Sequence, residues 1–91
     1  MEPVTIQLRT PVKDFGRDVS RVTITREATG GDLLAIEGSG NIRATLILIQ
    51  RMTVDQDGKS MSMACVESMT ARDIKAIETA LGPFVADGPQ T

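Results

Sequence analysis

Apolar and polar residues alternate at the start of the chain, Val4, Ile6 and Leu8 against Thr5, Gln7 and Arg9. A period of two carried by β-branched residues predicts a half-buried strand, which Pro11 either ends or places at a sheet edge. Asp14-Phe15-Gly16-Arg17 has the composition of a turn, with Gly16 free to take positive φ. Val22 and Ile24 then alternate with Arg21, Thr23 and Thr25, so residues 4–26 predict a hairpin. Val19 is out of phase with Val22 and Ile24. One extra residue restores a common face, and a bulge or twist is predicted near Ser20.

After Arg26 the pattern changes. Thr29-Gly30-Gly31-Asp32 fits the Thr-x-x-acid capping box and predicts a helix start, with Leu33, Leu34 and Ile36 following. Gly38-Ser39-Gly40 stops this helix after about two turns, because glycine disfavours a helix interior by about 1 kcal/mol. Residues 41–53 read two ways. On a helical wheel Ile42, Leu46 and Ile49 share a face, with Ala44, Leu48 and Met52 beside it and Arg43, Gln50 and Arg51 opposite. Yet Ala44, Leu46 and Leu48 also alternate, Asp57-Gly58 is a hairpin turn pair, and Met61, Met63 and Cys65 alternate beyond it. A helix, or the first strand of a second hairpin, satisfies the pattern.

Thr70-Ala71-Arg72-Asp73 is a second capping box and the cleaner of the two. Ile74, Ile77 and Leu81 follow at i, i+3 and i+7, and Gly82-Pro83 predicts the stop. The match of Thr29-x-x-Asp32 to Thr70-x-x-Asp73 admits an internal repeat. It is equally what two helix starts drawing on the same few capping residues produce. Residues 85–91 are expected to form a flexible tail.

Ninety-one residues, 41% of them hydrophobic and 24% charged, bound the chain to a single folded domain, 1–91. A net charge of −2 gives no basic excess for phosphate backbones, so no nucleic-acid partner is expected. The longest apolar run, Leu46 to Ile49, is far below the roughly 20 residues of a membrane span. Met1-Glu2-Pro3-Val4 has no basic patch leading into an apolar stretch. A soluble, intracellular protein with no membrane partner is expected.

The absence of histidine removes the commonest general acid–base group and any base to activate Cys65. With Ala64 and Val66 as neighbours, Cys65 reads as a small buried hydrophobe. A lone cysteine excludes an internal disulfide and a Cys/His zinc site. Asp55 and Asp57 around Gly58 lack the further oxygens of a calcium loop and read as a solvated turn. Gly30-Gly31 and Gly38-x-Gly40 lack the Lys-Ser/Thr of a phosphate loop. No catalytic, cofactor or metal site is expected. Met52, Met61, Met63 and Met69 are concentrated in eighteen residues. They read either as a forgiving apolar face for a partner helix or as core filling in a chain whose only aromatics are Phe15 and Phe84.

The run Val4 to Val12, then Phe15-Gly16-Arg17, then Val22 to Leu33 resembles the opening of small phage tail assembly chaperones, the E-type proteins of contractile-tailed phages and Mu-like prophages. These open with a strand, a proline, a glycine-bearing turn, a second strand and an Arg-Glu-Pro-Thr-like step into a short helix; here Ala28 stands at the proline. Met69-Thr70-Ala71-Arg72-Asp73-Ile74 and the step Gly82-Pro83-Phe84 resemble the later part of the family. The resemblance covers Val4 to Phe84. It rests on order, spacing and length, since each motif is common by itself.

The resemblance implies an α+β fold, an N-terminal hairpin followed by a helical part (about 29–84) of two to four helices, and it tips residues 41–53 toward helix. It implies a non-catalytic chaperone that shields apolar helical stretches of the tape measure protein in the host bacterial cytoplasm and is absent from the mature virion. A longer frameshifted form and the tail tube protein are further implied partners. A small structural tail or baseplate component is the alternative; a regulatory or toxin-like enzyme is a more distant one. The expected working surface combines Leu33, Leu34, Met52, Met61, Met63 and Met69, with homo-oligomerisation open to the same face or to the hairpin edge. The hairpin is expected to lie outside a helical core built from 41–53 and 70–81.

Overall fold

The alternating start of the chain does form a hairpin: strand β1 (Val4–Asp14) pairs antiparallel with β2 (Arg17–Ile24). The computed structural model describes residues 2–85; of the expected tail 85–91, Val85 is instead the last residue of a helix and the rest lies outside the described residues. Asp14 pairs with Arg17 across a two-residue loop in which both Phe15 and Gly16 have positive φ (+53° and +81°), the type I′ geometry whose twist matches a hairpin. A third strand, β3 (Thr53–Asp55), joins the open side of β2 and gives the order β1-β2-β3.

Helix α1 (Gly30–Ala35) follows the hairpin. Next come α2 (Asn41–Met52), which runs directly into β3, then α3 (Met63–Glu67) and α4 (Ala71–Val85). The fold is α+β, as expected. Residues 41–52 are helical, so no second hairpin forms across Asp57-Gly58. The short β3 within the helical part was not anticipated.

The sheet is half of the core rather than a ribbon outside it. Val19, Val22 and Ile24 are fully buried with Leu8, and they meet Leu48, Ile49 and Met52 of α2, Val66 of α3, and Ile77, Leu81 and Phe84 of α4 in one cluster. The expected pairing of α2 with α4 holds at Ile49, Ile77 and Leu81. It fails at Ile42, which is 78% exposed. Ile42 lies outside the cluster that joins sheet and helices.

The predicted irregularity sits opposite Ser20. Gln7 pairs with Arg21 and Val12 with Val19, so residues 8–11 of β1 face Ser20 alone. The extra residues are in β1, and Pro11 falls where its missing N–H orphans nothing. The freed N–H groups of Arg9 and Thr10 donate to the two carboxylate oxygens of Asp73 at 2.9 and 3.1 Å. Ser20 is satisfied by side chains: its N–H donates to Gln56 Oε1 and its carbonyl accepts from Gln7 Nε2.

The two Thr-x-x-Asp motifs therefore differ. At α1 the box is complete, Thr29 Oγ1 accepting from Asp32 N and Asp32 accepting from Thr29 N. At α4 only Thr70 caps, accepting from Asp73 N at 3.2 Å, while the Asp73 carboxylate serves the bulge. The predicted stop at Gly82-Pro83 is also overturned. The helix carries Pro83 inside it and continues to Val85. Phe84 is buried and its carbonyl accepts from Ala28 N at 2.8 Å, which holds the last turn against the hairpin exit.

Ile77 is fully buried, and Ile77→Ala is expected to cost about 2–5 kcal/mol of unfolding free energy. Asp73→Ala, which leaves two bulge N–H groups without their acceptor, is expected to cost about 1–3 kcal/mol. Urea unfolding reads both. An unchanged midpoint for Asp73→Ala would mean that water replaces the carboxylate at the bulge.

Candidate functional site

Helix α2 is apolar over most of its circumference, because Leu46, Ile47, Leu48 and Ile49 are consecutive and no helix can bury four successive positions on one face. Leu48, Ile49 and Met52 enter the core. Leu46 packs against the core from its edge, Ile47 is half-buried and Ile42 is exposed. With Met63 of α3 they line a groove of about 350 Å³, rimmed by Arg43 and Glu67. On the other flank of α2, Asn41, Ile42, Thr45, Ile74, Lys75 and Glu78 line a smaller depression of about 280 Å³. Ile42 is the ridge between the two.

The groove wall is anchored at the start of α3. Ser62 Oγ accepts from Cys65 N at 3.1 Å and donates to Asp14 Oδ1 at 2.8 Å, while Ser62 N donates to Asp14 Oδ2 at 3.2 Å. Gln50 Nε2 donates to the Met61 carbonyl at 3.0 Å and ties this segment back to α2. A carboxylate at the end of β1 thus sets where α3 begins and how far Met63 stands from Leu46 and Ile47.

The six residues of the expected surface are not brought together. Leu33 and Leu34 are exposed on α1 (51% and 72%), but neither lines the groove. Met63 is half-buried and does line it. Met52, Met61 and Met69 are buried in the core and form no surface. They fill the volume between sheet and helices that aromatic side chains occupy elsewhere. Ile42, Leu46, Ile47, Arg43 and Glu67 were not anticipated as surface. The unbroken apolar run 46–49, too broad for one partner stripe, is the feature that points to them.

The buried polar groups form structural clamps. Asp32, fully buried, accepts from Arg26 Nη1 at 2.6 Å and Nη2 at 3.1 Å, from Arg51 Nε at 2.7 Å and from Thr29 N at 2.8 Å. The Arg26 hydrogen bonds, more than offsetting burial, hold its carboxyl well below the usual range. Asp55, expected in a solvated turn, is buried, and only Asp57 is exposed. Asp55 Oδ1 accepts from the N–H groups of Asp57 and Lys59 at 2.8 and 3.0 Å. Arg17 Nη2 lies 2.8 Å from Oδ2 as an ion pair without the alignment of a hydrogen bond.

Burial raises the pKa values of Asp55 and Asp73, but their N–H donors and, at Asp55, Arg17 outweigh it, and both end lowered. Cys65 is a buried free thiol, its pKa raised by desolvation first and by the nearby Asp14 and Asp55 charges next. Among the described residues no group of three or more His, Cys, Asp or Glu side chains could hold a metal ion, and no helix is long and apolar enough to cross a membrane. What the arrangement offers is apolar contact along the groove, oriented by one cation and one anion at its rim.

Asp32, Asp55 and Asp73 stay ionised in the folded chain to lower pH than in the unfolded chain, where aspartates titrate near about 3.9. The unfolded state therefore takes up protons first as pH falls. The stability these acids contribute is complete above about pH 5 and is lost progressively as pH drops below about 4. Asp32→Asn is expected to be less stable than the parent near neutrality and to lose less on acidification. Denaturant unfolding at about pH 7, 5 and 3 measures both; equal acid sensitivity of the two proteins would remove Asp32 from the acid response.

No family model, no curated protein and no solved structure matches the chain.

Proposed function

We propose that the chain is a non-catalytic phage tail assembly chaperone that shelters apolar helical stretches of the tape measure protein in the host cytoplasm until the polymerising tail tube covers them. The observation that carries this reading is the α2–α3 groove. It has an apolar lining of Leu46, Ile47 and Met63, an exposed ridge at Ile42, and one charge of each sign at its rim. A helix with apolar residues at i, i+3 and i+4 lays its stripe along such a groove. Met63 adapts to differing side chains along a long client.

Burial at about 25 cal/mol per Å², less the cost of association, gives a modest affinity over so short a groove. A chaperone that the tube must displace requires that reversibility. The order of strand, proline, turn, strand and Thr-x-x-Asp helix start, which resembles that of the tail assembly chaperones, supports the choice of client.

Co-expression with the tape measure protein followed by affinity capture is expected to recover the two together. Ile42→Asp, at an exposed position where substitutions typically change stability by no more than about 0.5 kcal/mol, is expected to weaken capture by about tenfold or more at an unchanged melting temperature. No capture, with the chain present stoichiometrically in purified virions, would instead make it a structural tail or baseplate component.

A further inference from the structure

Phe15 is one of the two aromatic residues of the chain, yet it is 88% exposed and sits at φ +53°. The first central position of a type I′ turn favours Asn, Asp or Gly, which tolerate the left-handed region. A phenylalanine there carries backbone strain and exposes its ring to water, and the core gains nothing from it. The turn that bears it is nonetheless held firmly. Asp14 is bonded to Ser62, and Arg17 to Asp57 at 3.1 Å with Asp55 at 2.8 Å. An aromatic presented on a fixed backbone turn has the character of a binding anchor, since only its side-chain rotamer is left to order on contact.

The same chain carries an opening for such an anchor beside it. Asp14, adjacent to Phe15, holds Ser62, and the next residue, Met63, lines the α2–α3 groove. Phe15 does not line its own groove. Charges match as well: the tip is flanked by Lys13 and Asp18, paired at 2.8 Å and 71% and 72% exposed, and the groove is rimmed by Glu67 and Arg43. We propose that the protein forms a two-fold dimer in which Phe15 of each chain enters the α2–α3 groove of a second copy. Lys13 then faces Glu67, and Asp18 faces Arg43, across the interface. The Asp14–Ser62 link brings the turn to the residue next to Met63, and an isologous contact with two reciprocal insertions closes the assembly. The contact is small, so the dimer is weak, and it covers the groove assigned above to the client.

The inference does not rest on the tail-assembly reading, because it is tested on the chain alone. Sedimentation equilibrium between about 1 μM and about 1 mM, the range in which small interfaces dissociate, is expected to show a monomer–dimer equilibrium. Phe15→Asn should relieve the turn and raise the melting temperature measured at low concentration, while weakening the dimer by about 100-fold or more. Arg43→Asp should also weaken it, and adding Asp18→Arg should restore it. A wild-type chain that stays monomeric throughout, a Phe15→Asn chain that dimerises as well as wild type, or a charge swap without rescue would overturn the proposal. Client capture is scored separately: Phe15 lies outside the groove, so Phe15→Asn leaves the client's own contacts in place, whereas Arg43 at the rim serves both contacts.

Discussion

Carboxylates turned inward onto backbone N–H groups are the interaction on which this fold depends. Asp14, Asp32, Asp55 and Asp73 are all buried, and each accepts from at least one main-chain donor at a place where regular pairing fails: the start of α3, the start of α1, the turn after β3 and the bulge in β1. Burying a charge is unfavourable unless it is hydrogen-bonded, and so is burying an orphan N–H. One contact answers both costs. Two of these links join residues 48 and 64 positions apart, so they also fix how the hairpin lies on the helices. With a core of small aliphatic and methionine side chains, such cross-links specify a geometry that apolar packing alone specifies less sharply.

What could be read from the sequence follows from the range of the interactions involved. The hairpin, its irregularity near Ser20, the cap on α1 and the buried face of α4 all rest on contacts within a few residues or on periodicity. Residues 41–52 were ambiguous because a four-residue apolar run satisfies either period. The role of Asp73 was hidden because Thr70-x-x-Asp73 reads like Thr29-x-x-Asp32, and only the distant bulge distinguishes them. Pro83 was misleading for the same reason: Phe84 is drawn into a core assembled from remote segments, and that outweighs a local stop. The clustered methionines carried two meanings, and the lack of competing aromatic volume sent Met52, Met61 and Met69 inward.

The candidate surface is therefore smaller and differently composed than the methionine cluster implies. Its apolar members come from α2 and, at Met63, from α3, and the Asp14–Ser62 and Gln50–Met61 links hold the start of α3 against its neighbours. Scaffold and surface overlap at Leu46 and Met63, which line the groove and also pack against the core, while Ile42 belongs to the surface alone.

The bulge in β1 has a further consequence, for what the protein avoids. As an edge strand of eleven residues, β1 would otherwise offer a long row of free backbone groups to any extended chain it met. Residues 8–11 interrupt that row, Pro11 has no donor to offer, and Asp73 occupies the N–H groups of Arg9 and Thr10. What remains are two short stretches, Val4 to Gln7 and Val12 to Asp14, each a poorer template for edge-to-edge pairing than an unbroken strand. The device that lets Leu8 and Val19 share a core thereby also shortens the edge that a second sheet could extend.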